Sequence, residues 1–400
     1  MLKNSGMTSI SVWFNEKLAG ILSYDLGSYS FKYATTYLSR ADAMSLDPLH
    51  LPLSSATYQS HELFGVMRDA LPDSWGRFAL AREHGIDASR ISDLDCMMNM
   101  ASEGVGCIMF APITNNTIAK PTLTQPLMLS ELQDDIMCMD YQCSQTVSRL
   151  LHAGSSMGGA RPKASIIHDG THYLAKFNQR SDTLNVCRCE HAAMTLAGKL
   201  GVHVADTQLV QIQGQDVLLV QRFDRDANNN RYPFLSALTL SERSEMDFMH
   251  ESYVNLNTIS AGLSHINHAE EWLRRMTYNV LCNNDDDHLR NHGFIAHNGA
   301  WELSPAYDIM PHAMQGETYR LAIGLTVGNR DATLENAIAA GQAMVIANAE
   351  EIVNHMRDTF IQTWQSHFVD VGVDSEDIKK FERIFQRHAD CDSAYMYNFR

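Results

Sequence analysis

The sequence has few cysteines, few prolines and no long apolar run. Its 400 residues include eight cysteines and ten prolines, and so sparse a cysteine content excludes a disulfide-stapled scaffold. No apolar stretch reaches about 18 residues, so we expect no membrane span. The first residues lack the apolar core of a signal peptide. We therefore expect a cytoplasmic protein with reduced thiols.

Positive charge is scarce as well. Lys and Arg total 31 against 47 Asp and Glu, which gives a net charge of −16. A protein that binds nucleic acid mainly through phosphates needs a basic surface, so the composition excludes a general nucleic-acid binder. With 45% hydrophobic and 20% charged residues, the chain can bury a large core. Its length predicts two or three domains.

The residue pattern predicts four segments. Residues 1–110 form an accessory unit in which strands precede helices, and the Thr/Pro-rich tract 111–128 is a linker. Residues 129–240 form a β-rich lobe with a hairpin at Asp169-Gly170. Residues 241–400 form a mainly helical lobe, because apolar residues recur there at helical spacing.

The accessory unit shows short alternating segments. Strands are predicted at Ser9 to Phe14, Ile21 to Tyr24 and Ser30 to Tyr37, with a turn over residues 15–20. Helices follow over residues 61–84, broken at a proline. These elements predict a small antiparallel sheet with helices packed after it.

The segment over residues 283–308 carries the strongest chemical signal. Asp286 and Asn291 stand in the pattern D-x-x-x-x-N, which is the spacing of a kinase catalytic loop. There the Asp positions the substrate hydroxyl and the Asn binds Mg²⁺. A hairpin predicted around Asn298-Gly299 returns the chain to Asp308, a second acid. Oxygen ligands of this kind suit Mg²⁺, whose shell is completed by substrate phosphates.

Alternatives exist for the residues of this loop. Asp285 and Asp287 are rivals of Asp286, and three acids before a helix also occur as ordinary N-caps. His288 and Arg290 are predicted to orient the loop or to contact phosphate, or else to be solvated. A zinc site at His288 is the weaker alternative, since the His-x-x-x-His spacing of a helical zinc site is missing.

A second signal is the Gly-rich segment GSSMGGARPK at residues 154–163. Glycines let a backbone approach a phosphate closely, and consecutive N–H groups can bind it. The segment matches neither the P-loop nor the G-x-G-x-x-G pattern, and a loop without ligand is the alternative. The nucleotide contacts predicted here are Ser155, Ser156, Met157, Gly158 and Gly159.

Further nucleotide contacts are predicted beyond this loop. Lys176 interrupts an apolar strand and points away from its apolar face. Glu190, on the next helix, is its predicted partner, as in the strand-Lys and helix-Glu pair of kinases; the alternative is a plain surface residue. The strand over residues 217–224 then leads into a polar segment, where a kinase places its adenine hinge. The residues predicted there are Gln221, Phe223 and Asp224.

Taken in order, these segments resemble the HipA-like serine/threonine kinase family, the toxin half of bacterial type II toxin–antitoxin modules. The resemblance rests on GSSMGGARPK, Lys176, Glu190, QRFD at 221–224, and NNDDDHLRNHGF with SPAYD between 283 and 308. In addition, LPDSWGR at residues 71–77 resembles the N-terminal domain of that family.

The resemblance implies an α+β, two-lobe protein-kinase-like fold with a helical C-terminal lobe and an added N-terminal β-rich subdomain. It makes ATP and Mg²⁺ the cofactors, Asp286 the catalytic residue, and Asn291 and Asp308 the metal ligands. Lys176 would bind the ATP phosphates, with Gln221 and Phe223 at the adenine. Ser156 falls at the serine that such kinases autophosphorylate, and the adjacent Ser155 stays an alternative.

The resemblance also implies partners. Family members phosphorylate translation components, notably aminoacyl-tRNA synthetases, and are neutralised by a helix-turn-helix antitoxin that binds operator DNA. The acidic charge of this chain makes its own DNA contact indirect at most. Three rival hypotheses stay open: a solitary kinase without an antitoxin, a catalytically silent antitoxin-binding protein of the same fold, and a metal-dependent phosphohydrolase that uses the acidic loop.

Overall fold

The computed structural model describes residues 8–72, 74–99, 104–114, 116–122, 125, 127–129, 161–243, 247–312 and 319–389. Its contacts divide the chain into two compact units. The first unit comprises Met1–Lys176, Gln221–Leu240 and Phe294–Glu302, and the second comprises Phe177–Val220, Ser241–Gly293 and Leu303–Arg400. Helices and strands are both present, which confirms the α+β class predicted from the sequence.

The strands of the described chain, in order, are β1 (Thr8–Phe14), β2 (Lys17–Asp25), β3 (Ser28–Tyr33), β4 (Thr57–Ser60), β5 (Ile108–Thr114), β6 (Thr117–Ile118), β7 (Leu127–Met128), β8 (Lys163–His168), β9 (Thr171–Phe177), β10 (Thr207–Ile212), β11 (Gln215–Gln221), β12 (Phe234–Ser236), β13 (Gly293–His297) and β14 (Ala300–Leu303).

The α-helices are α1 (Thr35–Leu38), α2 (Gly65–Asp69), α3 (Ser74–His84), α4 (Asp93–Asn99), α5 (Val186–Lys199), α6 (Ala237–Leu240), α7 (Tyr253–Leu263), α8 (Ala269–Cys282), α9 (Leu334–Ala343), α10 (Ala349–Val371) and α11 (Ser375–Gln386). In the described residues, no helix is both long and apolar enough to cross a membrane.

A six-stranded sheet forms much of the first unit. Its order is β4-β3-β2-β1-β5-β6, and its neighbouring strands pair antiparallel. Asn15 and Glu16 both have left-handed φ, at 46° and 61°, as a two-residue hairpin turn of type I′ requires. The turn predicted over residues 15–20 was therefore too long, because β2 already begins at Lys17.

Two other predictions for this region need correction. The strand predicted over Ser30 to Tyr37 ends at Tyr33, and α1 follows. The tract predicted as a linker begins inside β5, which pairs with β1 through the Ile10 to Pro112 register. Such pairing between distant segments leaves no trace in local composition. The predicted domain boundaries themselves stay predictions.

Helices α2 and α3 confirm the helical prediction for residues 61–84, with Pro72 between them. The carboxylate of Asp69, at the end of α2, accepts hydrogen bonds from the backbone N–H and Oγ of Ser236 at 2.8 and 2.6 Å and from Oγ1 of Thr239 at 2.8 Å. A distant segment of the first unit is thereby fixed on α2.

The hairpin predicted around Asp169-Gly170 is confirmed as β8 and β9. Both turn residues have positive φ, 47° and 78°, which fits a type I′ turn. In β9 the side chains of Tyr173 and Ala175 are buried, whereas Lys176 is half-buried on the opposite face. The alternation read from the sequence therefore holds in the structure.

Helices dominate the second unit after residue 240, as predicted. The α8 residues Trp272, Met276 and Val280 are fully buried, so the stripe inferred from helical spacing is confirmed. Helix α5 is capped by Asn185, whose side chain accepts from the N–H of Arg188. Gly201 follows that helix with φ 85°, a left-handed value that suits a glycine at the C′ position.

Candidate active site

The predicted catalytic loop begins where α8 ends. Helix α8 ends at Cys282, and Asn283 takes a left-handed φ of 53° that turns the chain out of the helix. Arg387 holds this exit, because its guanidinium donates to Oδ1 of Asn283 at 3.2 Å and to the carbonyl of Val280 at 2.8 Å. The loop therefore starts from a fixed point on the helical core.

The three consecutive acids of this loop have different surroundings. Asp285 pairs with Nδ1 of His312. Asp287 is 1% exposed and accepts hydrogen bonds from Oη of Tyr253 and from the N–H of Ala322, both at 2.7 Å. Asp286 is exposed, and no hydrogen bond to its carboxylate is found in the described part of the chain. Of the three rivals, only Asp286 has a carboxylate open to a substrate.

Burial is the largest influence on the pKa of Asp287. It raises the pKa of Asp287 to about 8, although hydrogen bonds from Tyr253 and from backbone N–H groups act in the opposite direction. Burial and the neighbouring Asp287 together raise the pKa of Tyr253 well above its ordinary value. Asp287 thus belongs to a buried network, which favours a structural role beneath the loop.

Asp286, Asn291 and Asp308 lie at one site. Nδ2 of Asn291 donates to the carbonyl of Asp286 at 2.8 Å. Displacement of water by the surrounding protein raises the pKa of Asp286, His288 lowers it, and the charge of Asp308 raises it again. The charge of Asp308 therefore acts on Asp286, and two acids that interact in this way would attract a cation.

The backbone at Asp308 is unusual. Its φ is 59°. Residues other than glycine seldom adopt such a left-handed value, and those that do are concentrated at functional sites. The preceding Tyr307 donates its hydroxyl to the carbonyl of Arg290 at 2.7 Å. The segment after the β13–β14 hairpin is therefore tied to the loop, as the sequence predicted for the second acid.

His288 and Arg290 lie within the same loop. The backbone N–H of His288 donates to the carbonyl of Asp286 at 2.8 Å, and residues 289–291 form one turn of 3-10 helix. Their predicted contacts with phosphate stay predictions.

Two residues at this site were missed by sequence reasoning. His312 is joined to Asn283 by reciprocal bonds, since its N–H donates to the Asn283 carbonyl at 3.1 Å and its own carbonyl accepts from Nδ2 of Asn283 at 2.8 Å. Tyr253 reaches the loop from α7. No local motif marks either residue; the only signal for His312 was its position four residues after Asp308.

In the first unit, Lys176 faces a second lysine. Lys163 in β8 is directly opposite Lys176 in β9, so both side chains project from the same face of the hairpin. Lys163 is 2% exposed and was not predicted as a site residue, although it ends the Gly-rich motif. Two cations on one face form an environment suited to phosphate.

The residues predicted at the adenine lie at and after the end of β11. Gln221 is the last residue of β11, and the Phe223 ring lies 6.3 Å from that of Phe234 between centroids. Asp224 is 2% exposed and accepts hydrogen bonds from Arg222 at 2.9 and 2.8 Å and from the N–H of Gly106 at 2.8 Å. These contacts favour a structural role for Asp224, and its nucleotide contact stays a prediction.

Asp224 anchors a wider buried arginine cluster. Burial alone would raise the pKa of Asp224, but Arg222 and Arg225 hold it well below the ordinary range. The carbonyl of Gly104 accepts from three guanidinium groups, those of Arg222 and Arg225 at 3.1 Å and of Arg231 at 2.8 Å. We call this group the arginine cluster; its members are Gly104, Gly106, Arg222, Asp224, Arg225 and Arg231.

Glu190 is 4% exposed on α5, so it is not a plain surface residue. Its predicted pairing with Lys176 joins residues of different units and stays a prediction. Ser155 and Ser156, together with Met157, Gly158 and Gly159, lie outside the described residues.

Within the described ranges, no group of three or more His, Cys, Asp and Glu side chains is arranged to hold a metal ion. The described cysteines Cys96, Cys107, Cys187, Cys189 and Cys282 are free thiols, and the reduced state predicted for all eight stays a prediction. A site for Mg²⁺ needs only one or two protein oxygen ligands when substrate phosphates supply the others, and Asp308 with the side-chain oxygen of Asn291 fits that requirement.

Comparison with known families decides the affiliation of the chain. The family model of the HipA-like C-terminal domain matches residues 155–364, and that of the HipA N-terminal domain matches residues 10–111. The chain belongs to the HipA-like family. The resemblance inferred from the ordered motifs is thus confirmed.

A putative kinase of Haemophilus influenzae is 27% identical over 188 residues, which cover 41% of this chain and 55% of the relative. The match therefore spans about half the length of that curated relative.

Among solved structures, the HipA-like chain is similar to the Shewanella oneidensis MR-1 toxin–antitoxin complex of HipA, HipB and operator DNA. The TM-score is 0.71 at 17% identity, with 96% of this chain and 97% of the other aligned, and at this identity the likeness shows the fold alone. The Helicobacter pylori proinflammatory kinase CtkA aligns with 59% of this chain and 94% of its own at TM-score 0.37 and 15% identity, which is too weak to carry an argument.

Proposed function

We propose that this HipA-like protein is an ATP-dependent protein serine/threonine kinase in which Asp286 positions the acceptor hydroxyl and takes its proton late in the transfer. One observation carries the proposal. Of three consecutive acids, only Asp286 has an open carboxylate, and it lies close enough to Asp308 for their charges to interact. A kinase loop needs this combination of a free carboxylate and an adjacent cation site.

The ligands proposed for Mg²⁺ are Asp308 and Asn291. The amide nitrogen of Asn291 is engaged with the carbonyl of Asp286, so its oxygen remains for the metal. When bound, Mg²⁺ would neutralise the charge that develops on the transferred phosphoryl group. Lys176 is proposed to bind the ATP phosphates, and Lys163 directly opposite supports this by adding a second positive charge on the same face of the hairpin.

The test compares Asp286→Asn and Asp308→Asn with Asp370→Asn, an exposed substitution of the same type on α10. Transfer from radiolabelled ATP in the presence of Mg²⁺ should be lost in the first two variants and kept in the third. Thermal unfolding of all three should stay near that of the native chain. Full transfer by either site variant would refute the assignment.

A second measurement separates a kinase from a metal-dependent phosphohydrolase. A protein that binds Mg²⁺ chiefly with ATP should be stabilised against heat by Mg²⁺ and a non-hydrolysable ATP analogue together, and not by Mg²⁺ alone. Equal stabilisation by the metal alone would favour the hydrolase.

The finer assignments extend the proposal by family likeness. We propose autophosphorylation of Ser156, or of the adjacent Ser155, and an aminoacyl-tRNA synthetase as substrate. The structural relative contains HipB and operator DNA, which supports a helix-turn-helix antitoxin as the partner here. The net charge of −16 supports DNA contact only through that partner. We also propose a cytoplasmic location.

A further inference from the structure

A small cavity lies behind the catalytic loop in the second unit. Its volume is about 10 Å³, the space that one water molecule requires. Helix α8, the loop and the segment after β14, with Ala306, Tyr307 and Ile309, together form its wall. The polar side chains that line it are those of Arg275, Asn279, Asn284, Asp287, Asn291 and His292, and each is at most 6% exposed.

Three lining side chains have a buried polar atom that no described group satisfies. These atoms are Nη1 of Arg275, Oδ1 of Asn284 and Nε2 of His292. Buried polar groups are almost always hydrogen-bonded, so three unsatisfied atoms around one cavity point to a shared partner.

The three side chains are held in place by their other atoms. Arg275 donates from Nε to Glu271 at 2.7 Å and from Nη2 to the carbonyl of Ser304 at 2.5 Å. Nδ2 of Asn284 donates to Oδ1 of Asn279 at 3.1 Å. His292 bonds the backbone of Asp287. Because these bonds fix the side chains, none can turn to find a different partner.

The chemistry of the three atoms identifies the partner. The ring of His292 is 4% exposed, and a ring buried beside a guanidinium is kept neutral, so its single N–H is used on the backbone of Asp287. Nε2 is then an acceptor, as is Oδ1 of Asn284, whereas Nη1 of Arg275 is a donor. An anion would face two acceptors, and a metal cation would face a guanidinium. A water molecule supplies two O–H groups and a lone pair, which is the complement of the set.

We propose that one ordered water molecule binds in this cavity and joins Arg275 of α8 to both ends of the catalytic loop, making Arg275 and His292 positioning residues. Asn284 begins the loop and His292 ends it, so a single water closes the loop at its base. Asn291 lines the same cavity and bonds the carbonyl of Asp286. The catalytic consequence rests on the proposed function, but the water site does not.

The water itself is tested by a high-resolution crystal structure of the full chain. Density is expected within hydrogen-bond distance of Nη1 of Arg275, Oδ1 of Asn284 and Nε2 of His292. A cavity without density would overturn the proposal, and so would a peak with the short, multiple contacts of a metal ion. This test needs no kinase activity, so it stands if the proposed function fails.

The positioning role is tested with His292→Phe. The ring of His292 lies 5.4 Å from those of Tyr253 and Trp272, and Phe keeps this packing while it removes the acceptor. We expect the rate of phosphate transfer at saturating ATP to fall at least tenfold while the KM for ATP changes less than twofold. Amide hydrogen exchange should quicken over residues 284–292.

A matched control separates positioning from a general loss of stability. Val353→Ala opens a void in the helical core at a fully buried position of α10, so it should lower the unfolding temperature while the transfer rate at saturating ATP is kept. If His292→Phe lost its water and kept the native transfer rate, the positioning role would be wrong. In an inactive protein, unchanged exchange over residues 284–292 would overturn it as well.

Discussion

Tyr253 donates its hydroxyl hydrogen to Oδ2 of Asp287 over 2.7 Å, and both residues are buried. The bond joins the first residue of α7 to the residue directly after Asp286. The same hydroxyl accepts from Nδ2 of Asn279 at 2.8 Å. A tyrosine distant in sequence therefore completes the network on which the candidate catalytic acid rests.

Removal of that hydroxyl should weaken both the fold and the reaction. Tyr253→Phe leaves Asp287 and Asn279 each without one partner, so we expect the free energy of unfolding to fall by about 1–3 kcal/mol. Phosphate transfer should slow as the loop loosens. Urea unfolding and transfer assays measure the two effects, with Tyr58→Phe as control, since the Tyr58 hydroxyl bonds the carbonyl of Pro52 at an exposed site. If Tyr253→Phe changed neither the free energy of unfolding nor the rate of phosphate transfer, the proposed network would be wrong.

The pair of Asp285 and His312 predicts a change that NMR can detect. A hydrogen bond that the ring of His312 donates to Asp285 raises the pKa of His312, while burial lowers it. Because the folded value is the higher, this pair stabilises the fold below the ordinary histidine pKa, and the contribution is lost as pH rises through the raised value. In Asp285→Asn the pKa of His312 should fall, as followed by its ring proton shifts. An unchanged titration would show that the pair does not form in solution.

Burial of His388 predicts acid sensitivity. Burial and the charge of Arg387 lower the pKa of His388 to about 3. Between pH 6.5 and 3 the histidine is protonated in the unfolded chain but not in the folded chain. The free energy of unfolding therefore decreases as the pH is lowered, by about 1.4 kcal/mol per pH unit for this group. His388→Gln should reduce the slope of unfolding free energy against pH by that amount. The exposed His355→Gln should leave the slope unchanged, and equal slopes in all three proteins would refute the assignment.

Asp224 distinguishes a structural acid from a nucleotide contact. Asp224→Asn removes the negative charge of a buried carboxylate that pairs with Arg222 and Arg225, so we expect a loss of about 3–5 kcal/mol in unfolding free energy. Calorimetric ATP affinity of the folded fraction should stay near the native value, and the exposed Asp25→Asn should change neither quantity. A stable variant with weakened ATP binding would instead support the nucleotide role predicted from the sequence.

The sequence was informative where structure is local. The turns at Asp169-Gly170 and Asn298-Gly299 were predicted from dipeptides that tolerate positive φ, and the structure has φ of 47° and 78° at the first and 52° and 83° at the second. The helical spacing of apolar residues after residue 240 is local in the same way, and α8 buries Trp272, Met276 and Val280. The order of the chemical motifs was sufficient to indicate the family.

Contacts between segments that are distant along the chain could not be predicted from the sequence. Strand β5 pairs with β1 across almost a hundred residues, so its end within a Thr/Pro-rich tract could not be recognised. The three acids at 285–287 are the same residue type, so the sequence does not distinguish their roles. They differ only because Tyr253, Ala322 and His312 arrive from other parts of the chain.

The arginine cluster has a consequence for any attempt to divide the protein. Gly104 and Gly106 are held by Arg222, Asp224 and Arg231, which follow them by more than a hundred residues. A chain truncated near residue 110 would lose those partners and expose the backbone that they cover. The first hundred residues should therefore not be obtainable as an independently folded fragment, and a protease would have to cut elsewhere to release a stable piece.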